Sequence, residues 1–249
     1  MINYLKSELY RLLHKKNLHL TSIICFLLIL AAGLVLSYLP KVDPSFPYAT
    51  SPFFYSNVIS SGVLILIVGL LFNIALTGKD ITVIKQSVAF GISRKVIFWS
   101  KLILTLGYFI IVCLIGIGLM VVLGENLFTS DTQVVISFLL ACLNMIPIIL
   151  SGFLIIHTLK MIKVGEAYIV ITLFFIYTFS GDILRPLFRS VSGLNNLYQY
   201  APSTLLTENL LNFMNESVKF EFSYWLIGVV ISLITLLIGS QKFAKISID

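Results

Sequence analysis

The residues of this chain whose side chains could do chemistry are few and scattered. His157 is the only histidine beyond residue 19, and no second His, Cys or carboxylate stands at metal-ligand spacing from it. Cys25, Cys113 and Cys142 lie in apolar runs without a pairing pattern, so we interpret them as small buried hydrophobic residues. The chain has no H-E-x-x-H and no G-x-S-x-G motif. We therefore expect no catalytic centre, metal site or cofactor site in this chain.

A nucleotide site is also not expected. The dipeptide Gly78-Lys79 looks like the end of a P-loop, which cradles phosphate with backbone N–H groups. However, Asp80 replaces the Ser or Thr that the motif requires, and Asn73 stands at the position of its first glycine. The chain is predicted to have no phosphate cradle of its own.

The composition indicates whether the chain folds in water or in a membrane. Hydrophobic residues make up 58% of the 249 residues and charged residues 11%, with a mean hydropathy of +1.01. Soluble domains contain about 45–50% apolar and about 25% charged residues. A soluble globule of this composition could not cover its surface with polar groups, so a cytosolic enzyme and a disordered chain are both excluded.

Six long uncharged runs predict an all-α membrane protein with six transmembrane helices in a single domain, residues 1–249. A spanning helix needs roughly 20 apolar residues to cross about 30 Å of hydrocarbon. The fifth run has only 15 residues, from 167 to 181, and about 22 Å of helix crosses only if Lys163 and Glu166 lie at the interface. The predicted spans lie near residues 20–39, 56–77, 102–123, 133–157, 164–181 and 223–241.

The distribution of charge predicts the orientation of these spans. With six crossings, all Lys and Arg residues fall on one side except Lys41, Arg185, Arg189 and Lys219. Basic residues accumulate on the cytoplasmic side of membrane proteins, so we expect both termini to be cytoplasmic. The net charge of +6 then reflects topology and a surface for anionic lipid, and we expect no nucleic acid partner.

The polar residues deep in the predicted spans are neutral. Asn73 lies in the second span and Asn144 in the fourth, where Pro147 three residues later predicts a kink. Because no span carries a central charge, a proton- or ion-coupled carrier is not indicated. We interpret both Asn side chains as helix–helix hydrogen-bonding groups. The alternative is a substrate path that contacts Asn73, Asn144 and Pro147. The aromatic residues that could line it are equally compatible with core or lipid-facing positions: Phe153, Phe174, Phe175 and Tyr177.

The N-terminal residues form the first of three segments outside the spans. Apolar residues at helical spacing within 2–16, with basic residues largely off that stripe, predict an amphipathic helix on the inner leaflet, and we assign residues 1–18 to it. The alternative is a charged flank that only sets topology. The stripe consists of Ile2, Leu5, Leu9 and Leu12.

The second such segment is the loop 78–101, which is too long for a turn and too apolar for a free linker. Ile81, Ile84 and Val88 form a short helical stripe, Gly91 ends the helix, and Ser93 is placed to cap the next one. A short cytoplasmic helix of this kind can be bound by a soluble partner. The alternative is an interfacial helix that touches only lipid.

The third segment is the outer stretch 183–221. Two short apolar helices are predicted in it, the second beginning at Pro202, which suggests a re-entrant hairpin that dips into the bilayer between spans five and six. The alternative is a compact outer cap without a role in transport.

Taken together, the order of these segments resembles the permease subunits of ABC type-2 exporters. The likeness is greatest to bacterial permeases of about 250 residues from antimicrobial or cytolytic peptide export and lantibiotic-immunity systems. The N-terminal sequence NYLKSELYRLLHKK resembles the surface helix of that family. The stretch TVIKQSVAFGISRKVIFWSKLI resembles its loop after span two, with the Gly91, Ser93, Arg94 step and Lys101 entering span three. Residues 183–221 occupy the place of its outer re-entrant helices.

The resemblance implies a division of labour between chains. A separate cytoplasmic ATPase would bind ATP and Mg, and the coupling helix within 81–92 would sit in a groove of that ATPase. This chain would pair with a second permease subunit, as a homo- or heterodimer in the bacterial plasma membrane. The residues implied in coupling are Ile81, Ile84, Val88, Phe90, Gly91, Ser93 and Arg94.

The expected function is thus export of a hydrophobic or amphipathic substrate, such as a peptide, powered by the partner ATPase. The alternative from another class is a membrane-embedded sensor or assembly subunit that transports nothing. An intramembrane enzyme is disfavoured because the chain has no catalytic pair.

Overall fold

A computed structural model describes residues 2–78, 81–128, 131–189, 191 and 193–246, and this part of the chain is helical, without strands. The all-α prediction is therefore confirmed. Lys79 and Asp80, which bear on the P-loop comparison, lie outside the described residues. The helices are α1 (Ile2–Leu13), α2 (Lys16–Val42), α3 (Ser51–Ser60), α4 (Gly62–Thr77), α5 (Ile81–Ala89), α6 (Arg94–Leu127), α7 (Thr132–Met161), α8 (Glu166–Tyr177), α9 (Ser180–Phe188), α10 (Pro202–Met214) and α11 (Phe222–Lys245).

Four of these helices, α2, α6, α7 and α11, are long and apolar enough to cross a membrane, so the chain is a multi-pass membrane protein. Two bent pairs raise the count to as many as six: α3 with α4 at 56°, and α8 with α9 at 55°. The stretches predicted as the second and fifth spans, 56–77 and 164–181, are each divided between two helices. Each break lies beside a Ser-Gly pair, Ser61-Gly62 and Ser180-Gly181, a combination that favours kinks.

Two pairs of spanning helices, α2 with α6 and α7 with α11, run parallel. On α2 and α6, Ser22 bonds to Tyr108 (Oγ to the hydroxyl, 3.0 Å), and Gly33 lies beside Leu127, so the residue numbers rise together along both helices. Helices α7 and α11 run together in the same way. In a continuous chain, two parallel helices must be joined by a segment that runs back in the opposite direction. Each of these two pairs therefore requires such a return segment between its helices.

Close contact between α7 and α11 depends on two glycines. A Cβ at Gly228 would lie 2.5 Å from the backbone of Pro147, and a Cβ at Gly239 would lie 2.5 Å from the side chain of Thr158. Small residues at helix crossings let backbones approach and increase van der Waals contact where lipid supplies no hydrophobic drive. Helix α7 continues through Pro147 without ending, with α11 against that turn.

Helix α7 lies at the centre of the molecule and α2 at its edge. In the most apolar 18-residue window of each, 67% of α7 is buried and only 11% of α2. The remaining surface of α2 is apolar, as expected for a helix that faces lipid.

Helix α1 packs on α6 and α4. Leu12 and Glu8 are buried, whereas Leu9 and Tyr10 are exposed. The apolar stripe is therefore divided, because Leu12 packs on the protein and Leu9 stays on the surface of α1. The exposed apolar residues leave α1 a surface that suits the membrane interface.

The segment 183–221 packs on the helices before it. Asn209 of α10 donates from Nδ2 to the carbonyl oxygen of Ala141 in α7 (2.9 Å), and the Gly181 N–H at the start of α9 donates to Ser203 Oγ (2.7 Å). A 3-10 helix, Leu197–Tyr200, links α9 to α10. The first helix of this segment begins at Ser180, inside the stretch predicted as span five.

Candidate functional site

A group of buried polar side chains and an exposed aromatic side chain lie at one end of the molecule. Helix α1, helix α5, the start of α6 and the last turn of α11 meet there, and we call this region the α1–α5 end. It holds a buried polar cluster and the helix predicted to bind a partner.

A buried ion pair joins α1 to α6. Lys101 is fully buried, Glu8 is 1% exposed, and Lys101 Nζ lies 3.3 Å from Glu8 Oε2. The second carboxylate oxygen of Glu8 accepts from Arg11 Nη1 at 2.8 Å. Two charges removed from water are stable only when paired and hydrogen-bonded, so removal of either partner leaves a costly buried charge.

The position of Lys101 also complements the end of α4. Its ammonium donates to the carbonyl oxygen of Leu76, one residue before the last of α4. The final carbonyls of a helix have no intrahelical partner and carry the negative end of the helix dipole. Lys101 therefore neutralises Glu8 and caps α4 at once, which links three helices through one side chain.

A neutral hydrogen-bonded chain extends from this pair into the core. Thr105 Oγ1 donates to the Lys101 carbonyl (2.8 Å), and Asn73 Nδ2 lies 3.3 Å from Thr105 Oγ1 and 3.0 Å from His157 Nδ1. The other ring nitrogen, Nε2, is 3.2 Å from the carbonyl oxygen of Phe98, which can only accept. Nε2 must therefore carry the proton, and Nδ1 accepts from Asn73 as a neutral imidazole.

This geometry agrees with the interpretation of Asn73 as a helix–helix hydrogen-bonding group, and it makes His157 a packed residue of the core. Asn73 connects α4 to α6 and α7, and both residues are fully buried. Among the described residues, no group of three His, Cys, Asp or Glu side chains could hold a metal ion.

Helix α5 is held against α1 and the core by one face. Ile84 is buried in the main hydrophobic cluster, Val88 packs on that cluster, and Ser87 is buried. Tyr4 of α1 lies close to Ser87 and Glu8, and its burial, with the negative charge of Glu8, raises the pKa of the phenol. The backbone of α5 begins at Ile81, whose side chain lies outside the described part of the structure.

The end of α5 presents an aromatic side chain to the surroundings. The Ile92 N–H donates to the Ser87 carbonyl and the Gly91 N–H to the Val88 carbonyl, both at 3.0 Å, with Gly91 at φ +81°. This is a Schellman motif, which requires a left-handed residue that glycine adopts at little cost. The preceding residue, Phe90, is left 86% exposed.

Ser93, the predicted cap, and Arg94, the basic residue after it, both form hydrogen bonds within the chain. Ser93 Oγ accepts from the Val96 N–H (3.4 Å) and so caps α6, as predicted. Arg94 donates to the carbonyl oxygen of Ala244 (3.2 Å) and to that of Ile246, and so caps the end of α11. Arg94 is thus engaged within the chain and links the start of α6 to α11.

Space remains behind α5. A cavity of about 390 Å³ lies between its Ile84, the α7–α8 turn and the end of α11, which contributes Phe243. Lys160 and Glu166 form an ion pair at its margin, with 3.1 Å between Nζ and Oε1.

The other residues proposed for a substrate path are not gathered in one place. Asn144 donates from Nδ2 to the Lys219 carbonyl (2.8 Å), and its Oδ1 accepts from the Glu221 N–H (3.2 Å). It therefore holds the segment before α11, about 20 Å along α7 from His157, at 1.5 Å per residue. Of the four aromatic residues considered, Phe153 and Tyr177 are core residues, and Phe174 and Phe175 are exposed.

Glu8 was missed as a site residue by reasoning from sequence. The signal was present, because Glu8 lies between Leu5 and Leu12 at the i, i+3, i+7 spacing of one helix face. A carboxylate on an apolar face needs a cation close to it when that face is buried. Lys101, a basic residue near the start of an apolar helix, is such a cation.

Comparisons with protein-family models, with curated proteins and with solved structures give no match for this chain. The case for a function therefore rests on the geometry described above.

Proposed function

We propose that this protein is the permease subunit of an ATP-driven exporter, with six spans and both termini in the cytoplasm of a bacterial cell. The parallel pairs support six crossings. Since α7 and α11 run in one direction, the chain between them returns across the membrane through α8 and α9. The α3–α4 pair plays the same part between α2 and α6.

The observation that carries this proposal is the shape of α5. A short helix between two spans is fixed to the protein along one face and ends in an exposed Phe90. An aromatic side chain left in water costs free energy, whereas in a pocket of a partner it would contribute to binding. The partner is a cytoplasmic ATPase that binds ATP and Mg, because this chain has no nucleotide motif.

The route by which the ATPase acts on the spans follows from the contacts of α5. A displacement of α5 is transmitted to α1 through Tyr4, to α6 through the Ser93 cap, and to α11 through Arg94. The cavity behind Ile84 gives α5 space to move inward. Two such permease subunits form the transport unit, with α1 lying at the inner interface and residues 183–221 forming the outer re-entrant segment.

The substrate is hydrophobic or amphipathic, such as a peptide that acts on membranes. The described spans carry long apolar surfaces, and the amides of Asn73 and Asn144 within them are bonded inside the chain. Contact with substrate at Asn73, Asn144 and Pro147 stays a prediction, since it requires a conformation in which those bonds open.

Site-directed photocross-linking tests the coupling helix. A benzoylphenylalanine at position 90 of the tagged protein in its native cells is expected to cross-link to a protein with a P-loop. The matched control is Phe222, which is 70% exposed at the opposite end of α11. Equal capture of the ATPase from both positions, or capture of none from position 90, would refute the assignment.

Transport is tested separately from binding. The purified complex in liposomes should hydrolyse ATP faster when an amphipathic cationic peptide such as nisin is added. Phe90→Ala is expected to lose this stimulation, while Phe222→Ala keeps it. A complex that forms through Phe90 but responds to no hydrophobic peptide would favour the sensor or assembly subunit.

A further inference from the structure

A second cavity lies between α2, α4, α6 and α7, far from the α1–α5 end. Its volume is about 420 Å³, within the range of about 300–1,000 Å³ that ligand sites occupy. We call it the lateral cleft. Its walls include all three cysteines, Cys25, Cys113 and Cys142, each from a different helix.

The lateral cleft lies at the middle of the spans. Its wall on α2 runs from Cys25 to Ile29, about 14–20 Å from the two ends of that helix at 1.5 Å per residue. The walls on α6 and α7 likewise lie near the midpoints of those helices. A hydrocarbon layer is about 30 Å thick, so this depth is where lipid tails lie and headgroups do not reach.

The chemistry of the walls excludes a polar occupant. Among the described residues that line the lateral cleft, none is charged. The one hydroxyl, that of Ser61, donates to the carbonyl oxygen of Asn57. Water needs two to four polar partners to remain in a cavity, and these walls offer only the Ser61 hydroxyl as an acceptor and three weakly polar thiols. An occupant must fill the space through dispersion contacts alone.

The lateral cleft opens toward lipid. Leu28, Leu64 and Leu114 stand at its rim and are 65%, 62% and 60% exposed. Phe72 and Met145 form its buried interior. A molecule already dissolved in the hydrocarbon therefore enters sideways past these three leucines without crossing any polar region.

The geometry points to the lateral cleft as a binding site for one acyl chain of a membrane lipid. Its depth, apolar walls and lateral mouth all match a hydrocarbon tail whose headgroup stays outside. This inference depends on the membrane location of the spans and goes beyond the proposed exporter function, because it requires no ATPase.

The chain offers a matched pair of substitutions that tests it. Gly116 lines the lateral cleft, and a Cβ there would lie 3.7 Å from Ile29 Cδ1, an ordinary contact. Gly116→Leu therefore fills the space without a backbone clash. Gly118, on the same helix, has nothing within 4 Å of a Cβ and is not part of the lining, so Gly118→Leu is the control.

The experiment uses the purified full-length chain in phosphatidylcholine vesicles. A small fraction of the lipid carries a diazirine midway along one acyl chain, and adducts are mapped by mass spectrometry after irradiation. Wild type and Gly118→Leu should be labelled at buried Met145 and Ile149 as well as at exposed Leu237. In Gly116→Leu, labelling of the two buried residues should fall about tenfold, and labelling of Leu237 should stay unchanged. A tenfold loss of binding corresponds to the displacement of about two methylene groups of the acyl chain.

Three results would overturn the inference. They are adducts confined to the rim, equal labelling of Met145 in Gly116→Leu and wild type, and cross-links that show a second copy of the chain covering the lateral cleft. If Gly116→Leu labels indiscriminately because it has unfolded, Ile65→Phe narrows the lateral cleft from α4 and is expected to give the same loss.

Discussion

Replacement of Lys101 by methionine measures the ion pair that joins α1 to α6. The variant keeps the length and apolar stem of the side chain but leaves the Glu8 carboxylate buried. Breaking a buried pair by removing one partner costs about 3–5 kcal/mol. Because Glu8 keeps its bond to Arg11, which is partly exposed, we expect the lower end of that range, about 3 kcal/mol.

The assay is thermal unfolding of the purified protein in detergent. For a chain of this size, about 3 kcal/mol corresponds to a fall of about 6–12 °C in Tm. Lys95→Met is the control, because Lys95 lies on the same helix and is exposed. Its Tm should stay close to that of wild type, since exposed substitutions change stability by no more than about 0.5 kcal/mol.

The double variant Glu8→Leu with Lys101→Met separates the ion pair from simple packing. An apolar pair in place of a buried ion pair is often neutral or stabilising, so most of the lost Tm should return. The reasoning is refuted if Lys101→Met matches Lys95→Met, or if the double variant loses the sum of the two single losses.

Two further predictions concern the spans and the outer segment. Gly228→Ala places a Cβ within 2.5 Å of the Pro147 backbone and should lower the free energy of unfolding by about 1–3 kcal/mol. The control Gly118→Ala, in open space, should leave the Tm in detergent unchanged. Equal Tm values for the two variants would contradict the close helix crossing. Burial, and then the charge of Glu221, raise the pKa of Glu208, which favours its protonated form in the folded state. The wild type should therefore lose stability relative to Glu208→Gln as pH rises above the ordinary Glu pKa of about 4.3, and parallel Tm profiles of the two proteins above that pH would contradict this.

The sequence allowed the helices to be placed because apolar runs bounded by charges are a local property. The four straight spans, the cap at Ser93 and the helix stop at Gly91 follow from residues next to one another in the chain. The breaks beside Ser61 and Ser180 were not foreseen, because the apolar run continues across each of them.

Contacts between helices required the structure. Lys101, which pairs with Glu8, is 93 residues away from it, and the His157–Asn73 bond joins residues 84 apart. Composition shows that such polar groups are present, but their pairing depends on which helix faces meet. The lateral cleft is likewise a product of four helices, and no single one of them has a pattern that marks it.

The two glycine contacts between α7 and α11 have a consequence for motion. They lie three helical turns apart on both helices, so sliding or rotation of α11 would bring a larger residue against Pro147 or Thr158. We therefore expect α7 and α11 to move as one rigid body. Larger relative displacements are then expected at the bends beside Ser61 and Ser180.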